Sequence, residues 1–304
     1  MNSSNDLVVL DIDNTLFDWV AYYVPAMEAL IECVSHLTKI CPDQIMKEAK
    51  AIFEAQGSIE YPFVIQELPC LHQRYYGRIE QLLTEIVLPG REAFRHAAKA
   101  KLRPYEKVKE TIGELKESAT LVALTDAPRY VAMWKLNKLG VLHHFDGVYG
   151  LPDPKIPICS ITGNPKVTPE LLRKHLSQEN FYFQGRARSF PNDYEKPSIK
   201  GLKTVLMDYD LDMEPHRVLW VGDNLNKDVR MGRSLGVRTA WARYGTLINP
   251  SVKERLLRFS PEANVRKNVS LSPRCPDSPV PDITLDCFGE LRNLSMPKKQ
   301  RRAL

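Results

Sequence analysis

Three times along this chain a short apolar run stops abruptly in residues that carry oxygen. Leu7-Val-Val-Leu10 enters Asp11-Ile-Asp-Asn-Thr15, Thr120-Leu-Val-Ala-Leu124 ends in Thr125, and Arg217-Val-Leu-Trp-Val221 enters Gly222-Asp223-Asn224. Runs this short, rich in β-branched residues and without polar alternation, predict strands buried on both faces. Helical patterns lie between and after them: Tyr105 to Ser118, Arg129 to Leu139, Lys200 to Met207 and Asn226 to Leu235. Gly140 and Gly236 stop two of these. Phe145 to Tyr149, Val237 to Ala242 and Asp282 to Phe288 read as further strands. Strands alternating with helices predict an α/β fold built on a doubly wound parallel sheet. The site of such a sheet lies at the carboxyl ends of its strands, where these polar residues fall.

Three segments break the alternation. From Leu16 to Arg103 the signals are helical only, with apolar residues at 27, 30, 31 and 34 and Asp43 as the cap of a helix ahead of Gly57. Arg78 to Ile86 and Arg91 to Lys101 read as helices too. Residues 151–194 form a long connection with one helical piece around Pro169 to Leu176, and loops of that length are usually functional or mobile. Residues 250–281, with prolines at 273, 276, 279 and 281, read as an irregular Pro-rich insertion. The expected organisation is a core of residues 1–16, 104–249 and 282–292, a helical insert at 17–103, the two insertions, and a basic tail at 293–304.

Charge and cysteine usage narrow the function classes. Of the 304 residues 42 are basic and 37 acidic, and four of the basic ones (Lys298, Lys299, Arg301, Arg302) sit in the last eight positions. The body is therefore near neutral, which argues against a nucleic-acid surface on the fold. No stretch approaches the roughly 18 apolar residues of a spanning helix, so no membrane is expected. Met1 to Asp6 shows no secretory signal pattern. The six cysteines include no C-x-x-C pair and read as reduced thiols, which implies a cytoplasmic protein. Glu179-Asn-Phe-Tyr-Phe-Gln-Gly185 fits the cleavage pattern of a potyviral processing protease.

Six residues carry the chemistry. Asp11 and Asp13 follow the first strand, Thr125 ends the second, Lys196 precedes a helix, Asp223 ends a later strand and Asp228 opens the helix after it. Carboxylates gathered at one sheet edge repel one another and call for a cation. Hard oxygen ligands suit Mg²⁺, which favours one or two carboxylates plus substrate phosphate and water. A hydroxyl and an ammonium beside them suit phosphoryl oxygens, and the set points to phosphoryl transfer.

These residues resemble the four motifs of the haloacid dehalogenase-like (HAD) hydrolases. Asp11-Ile-Asp-Asn-Thr15 is similar to DxDxT, Leu124-Thr125 to the strand-end Thr or Ser, Lys196-Pro197 to the Lys before a helix, and Gly222-Asp223 through Asp228 to GDxxxxD. All four stand in the family's order. The resemblance implies a Rossmann-like core. It makes Asp11 the nucleophile that forms an aspartyl-phosphate, and Asp13 the general acid and then base. Thr125 and Lys196 would be phosphoryl holders. Mg²⁺ would lie on the Asp11 carboxylate, the Asp13 backbone carbonyl and Asp223, with Asp228 supporting them.

Within the family, dehalogenating members lack a carboxylate at the position of Asp13, so its presence implies phosphate-ester chemistry. Asn14-Thr15 does not match the ATPase signature. The insert at 17–103 holds the position of a mobile helical cap; it carries Tyr22, Tyr23, Arg74, Arg78, Arg91 and Arg95, and an Arg facing the site could grip a second anion on the substrate. The expectation is a Mg²⁺-dependent phosphatase acting on a small phosphorylated metabolite. A phosphotransferase or mutase of the same family, and a non-enzymatic phosphoacceptor or scaffold, are the rival readings. Nothing in the sequence names the substrate or the oligomeric state.

Overall fold

A computed structural model describes residues 7–153, 155, 157, 166, 182–262 and 278–294. Its centre is a sheet of seven parallel strands in the order β4-β3-β2-β1-β5-β6-β7. The strands are β1 (Leu7–Leu10), β2 (Thr120–Pro128), β3 (Gly147–Leu151), β4 (Arg186–Ser189), β5 (Val218–Gly222), β6 (Arg238–Ala242) and β7 (Ile283–Leu285). β1 sits mid-sheet, with Leu10 paired to Ala123 on one side and to Val221 on the other. The order of the strands reverses there, and a crevice opens at such a point.

Successive side chains of a strand point to opposite faces, and β1 shows this directly. Leu7 and Val9 join Val122, Leu202, Val205, Trp220 and Met231 in one apolar layer. Val8 and Leu10 join Val108, Ile112, Leu136 and Phe259 in the other. All four β1 residues are fully buried, each contributing about 1.5–3 kcal/mol of hydrophobic stabilisation.

The insert between β1 and β2 is helical. Its main elements are α1 (Trp19–Thr38), α2 (Pro42–Gln56) and α3 (Leu88–Lys101), joined by short turns and a π-helical turn at Leu83–Val87. The Asp18 carboxylate accepts the Ala21 N–H at 2.8 Å and caps α1. Asp43 does not cap α2. Cys41 takes that place, with Pro42 at the first helical position and Asp43 in the first turn. There a carboxylate meets the helix dipole without an N-cap bond. Both connections of the insert to the sheet run side by side: Phe17 bridges Pro104, and the Tyr105 N–H donates to the Leu16 carbonyl at 2.9 Å. The insert's Val24, Met27, Leu30 and Val34 belong to the same apolar cluster as Val8 and Leu10.

α4 (Val108–Ser118) and α5 (Arg129–Lys138) flank β2, and α6 (Ile199–Asp208) and α7 (Arg230–Ser234) surround β5. α7 is shorter than its sequence pattern because a π-helical turn, Leu225–Val229, precedes it.

Two expectations need correction. The connection at 151–194 contains the strand β4, whose Arg-Ala-Arg-Ser sequence is exposed throughout and carries no hydrophobic signal. The segment at 250–281 is not wholly irregular. Pro250–Phe259 is a helix, α8, capped by the Asn249 side chain, with Leu256 and Phe259 buried. It packs on the insert: the Arg255 guanidinium pairs with Glu28, and the Tyr23 and Phe259 rings lie 6.3 Å apart. The expected helical piece at Pro169–Leu176 and the basic tail from Pro297 lie outside the described residues. Among the described residues no helix is long and apolar enough to cross a membrane.

Candidate active site

The loop after β1 is fixed from several sides. The Asp11 N–H donates to the Val221 carbonyl at 2.9 Å, continuing the sheet one residue past β1. Asn14 then takes a left-handed conformation at φ 57°, which Asn tolerates, and its side-chain oxygen accepts the Trp19 N–H at 3.1 Å. Between them Asp11 and Asp13 project from the end of the central strand.

The turn after β5 delivers the opposing carboxylates. The Asn224 side chain accepts from the N–H groups of Asn226 and Lys227, which turns the chain into the π-helical segment holding Asp228. Asp228 Oδ2 accepts the Asn224 N–H at 2.9 Å. Gly222 is required here, because a Cβ would stand 2.4 Å from the Asp228 carboxyl carbon. The Trp241 indole donates to the Asp223 carbonyl at 2.7 Å.

Five of the six residues singled out from sequence are closely grouped. Asp11, Asp223 and Asp228, all buried, each offer an oxygen within 4.8 Å of the others. Lys196 Nζ lies 2.7 Å from Asp11 Oδ1 and 2.8 Å from Asp228 Oδ1. Asp223 Oδ2 is buried without a hydrogen-bond partner. An orphaned carboxylate oxygen beside two further carboxylates fits a hard divalent cation. Thr125 lines the same cavity, and its hydroxyl oxygen accepts the Ala127 N–H at 3.1 Å.

Asp13 lines the same cavity, and its carboxylate is held by a different ammonium. Lys135 Nζ, on α5 and fully buried, lies 2.8 and 2.9 Å from its two oxygens. The same ammonium is 2.8 Å from Glu60 Oε1 in the insert, and the Trp19 indole donates to that oxygen at 2.9 Å.

The electrostatics follow from burial. Desolvation pushes the Asp11 carboxyl up to about 7, with Lys196 pulling it down and Asp228 pushing it up. Desolvation pushes Asp13 up to about 6, with Lys135 opposing and Glu60 adding to the rise. Asp223 is driven well above the usual carboxylate range by burial and by Asp228 and Asp11. Burial works against the Lys196 charge, but Asp11 and Asp228 outweigh it and hold that ammonium well above its usual range.

Sequence reasoning missed four residues of this site. Lys135 and Glu60 carry no motif, and only the packing of α5 against the insert brings them to Asp13. Asp126 follows Thr125, accepts the Lys196 N–H at 2.9 Å and pairs with Lys227 Nζ at 2.7 Å. Asp126 adjoins Leu124-Thr125 and Lys227 lies within Gly222 to Asp228, so adjacency is the available signal. None of Tyr22, Tyr23, Arg74, Arg78, Arg91 and Arg95 lines the cavity. Tyr22 and Tyr23 are buried in the apolar cluster, and Arg74 donates to the Thr38 carbonyl. His143 and His144 sit on the turn Leu142–His144, away from this site.

The cavity holds about 280 Å³ and lies between the strand ends and the insert's Gln56, Gly57, Ser58 and Glu60. Buried carboxylates around a potential cation, a lysine across from them and a second carboxylate on the rim can stabilise charge at a phosphoryl group and move a proton to its leaving oxygen.

A family described as haloacid dehalogenase-like hydrolase matches residues 5–157, and one described as HAD-hydrolase-like matches residues 194–267. Among solved structures, a HAD-hydrolase of Bacillus subtilis bound to magnesium is 14% identical, with 96% of this chain and 98% of that chain covered and a TM-score of 0.50. A HAD phosphatase of Thermococcus onnurineus is 17% identical, with 95% and 97% covered and a TM-score of 0.49. A 2-haloacid dehalogenase of Pseudomonas syringae is 14% identical, with 95% and 97% covered and a TM-score of 0.48. No curated protein matches the sequence.

Proposed function

Because the chain belongs to the haloacid dehalogenase-like hydrolases, we propose that it is a Mg²⁺-dependent phosphatase that hydrolyses a small phosphorylated metabolite through an aspartyl-phosphate on Asp11. One observation carries this reading: Lys196 bridges Asp11 and Asp228 within a buried carboxylate group that leaves Asp223 Oδ2 unpaired. Asp11, the Asp13 carbonyl and Asp223 would hold the cation, with Asp228 fixing Lys196 and the Asn224 turn behind them. Bound there, Mg²⁺ would neutralise phosphoryl charge and favour an ionised Asp11.

The protein's own groups do the rest. An Asp11 carboxylate oxygen attacks phosphorus in line, and the bond from phosphorus to the leaving oxygen breaks. Lys196 and the Thr125 hydroxyl would hold the equatorial oxygens. Asp13 donates its proton to the leaving oxygen. A water then attacks phosphorus, Asp13 takes the water's proton, phosphate departs and the Asp11 carboxylate is restored. A carboxyl raised to about 6 can serve as donor and acceptor near neutral pH, where matching of pKa to pH favours both steps. The helical insert acts as a cap over the cavity and excludes water.

Hydrolysis of p-nitrophenyl phosphate with Mg²⁺, compared between the native protein and Asp11→Asn, tests this reading. Turnover that disappears in the variant supports it. Equal turnover in the variant refutes it, and transfer of the phosphoryl group to an added alcohol in preference to water would favour the phosphotransferase reading.

A further inference from the structure

The cavity's leaving-group side is built by the helical insert, and one charged side chain from the insert reaches it. Glu60 lines the cavity, and both of its hydrogen bonds fall on Oε1, from the Trp19 indole at 2.9 Å and from Lys135 at 2.8 Å. Among the described residues Oε2 takes no hydrogen bond. The donors are buried and the Glu60 side chain is 15% exposed, so the carboxylate is held in one orientation. Lys135 also grips Asp13, the proposed proton donor. The free Glu60 oxygen is thereby fixed relative to the place where the leaving oxygen must receive its proton.

The surrounding charge is one-sided. Seven of the described lining residues are carboxylates, against two lysines, with the buried Lys135 behind Asp13 and Glu60 as a third ammonium. None of the three is spare: Lys196 is shared by Asp11 and Asp228, Lys227 by Asp126 and Glu195, and Lys135 by Asp13 and Glu60. A divalent cation and a phosphoryl dianion cancel each other and leave this balance unchanged. The other insert residues on this side, Gln56 and Ser58, and Asn192 opposite, offer neutral hydrogen-bonding groups. A second anion on the substrate would face Glu60 with no cation to receive it, and like charges brought together in this way reject a ligand.

We propose that Glu60 is a specificity-determining residue whose free oxygen accepts a hydrogen bond from a hydroxyl of the leaving group, so that the enzyme takes neutral polyol or sugar monophosphates and rejects substrates bearing a second anion. This rests on the phosphatase reading above.

The test compares kcat/KM of the full chain with Mg²⁺ on a hexose monophosphate, on phosphoglycolate and on a hexose bisphosphate. p-Nitrophenyl phosphate serves as the common reference. The native enzyme should prefer the hexose monophosphate by at least ~10-fold over both competitors, each of which carries a second anionic group. Glu60→Gln removes the charge but keeps an oxygen that can accept from Trp19 and Lys135. In that variant the preference should shrink several-fold, with the loss carried by KM for the monophosphate and the gain by KM for the anions. Comparable rates on all three by the native enzyme, a preference for phosphoglycolate or the bisphosphate, or rejection of all three while the aryl phosphate turns over would each overturn the inference. So would a preference that Glu60→Gln leaves unchanged. Should that variant fail to fold, the native comparison decides alone. Absence of any turnover on p-nitrophenyl phosphate would instead defeat the phosphatase reading beneath it.

Discussion

Lys135 Nζ sits 2.8 Å from Asp13 Oδ1 and equally close to Glu60 Oε1, so one fully buried ammonium joins the loop after β1 to the helical insert. The Phe17 ring lies 5.8 Å from the same nitrogen. Breaking a buried ion pair by removing one partner leaves the other charge uncompensated.

Lys135→Met should therefore destabilise the protein by about 3–5 kcal/mol, the usual cost of orphaning a buried charge. Two carboxylates would then face each other without a cation, and Asp13 would rise further above its value of about 6. Urea unfolding of the variant checks the first point. A change below about 1 kcal/mol would show that Lys135 is not the electrostatic link described.

Asp223 predicts a stability that trades against function. Burial and the neighbouring Asp228 raise its folded pKa well above the ordinary 3.8. The unfolded chain loses this proton at lower pH than the folded one, so the group contributes a loss of stability that grows as pH rises through and above the usual carboxylate range. In chelator at pH 8, Asp223→Asn should melt at a higher temperature than the native protein, and the difference should vanish by about pH 4. Mg²⁺ should raise the Tm of the native protein and move the variant's much less. Equal responses to Mg²⁺ would place the cation elsewhere.

Metal dependence itself is expected to be complete. Chelation should abolish turnover of p-nitrophenyl phosphate, Mg²⁺ should restore it, and Ca²⁺ should inhibit because its looser coordination spoils in-line geometry. Full activity in excess chelator would remove the cation from the account.

The centre of the sheet was legible because β1, β2 and β5 each announce themselves as an apolar run ending in oxygen-bearing residues. Asp11, Asp223, Asp228 and Lys196 could be named because they stand at strand ends or helix starts, where the order of the chain reflects the geometry of the edge. β4 was not legible, since an exposed Arg-Ala-Arg-Ser edge strand has no apolar side to show. α8 does carry a sequence signal: Asn249-Pro250 marks a helix N-terminus, and Val252, Leu256 and Phe259 follow at helical spacing. The prolines from 273 onward masked it. Lys135 and Glu60 could not be found by pattern, because their meeting depends on how α5 packs against a segment 75 positions earlier in the chain.

Asp13 should separate substrates by their leaving groups. Asp13→Asn keeps the backbone carbonyl but loses the proton donor and base, a change typically worth about a hundred- to ten-thousand-fold. Attack should be impaired far less for a nitrophenolate leaving group, which departs without a proton, than for an alkyl phosphate. An equal loss of the phosphorylation step on both substrates would deny Asp13 the role of acid.

The most direct measurement is the location of the phosphate during turnover. Asp13→Asn supplied with p-nitrophenyl phosphate and Mg²⁺ should accumulate phosphoenzyme, because attack proceeds while the water lacks its base. Acid quench, proteolysis and mass spectrometry should then find one added phosphate on Asp11, and none when Asp11 is also replaced by Asn. Phosphate on any residue other than Asp11, or near-normal turnover by Asp11→Asn alone, would contradict the account.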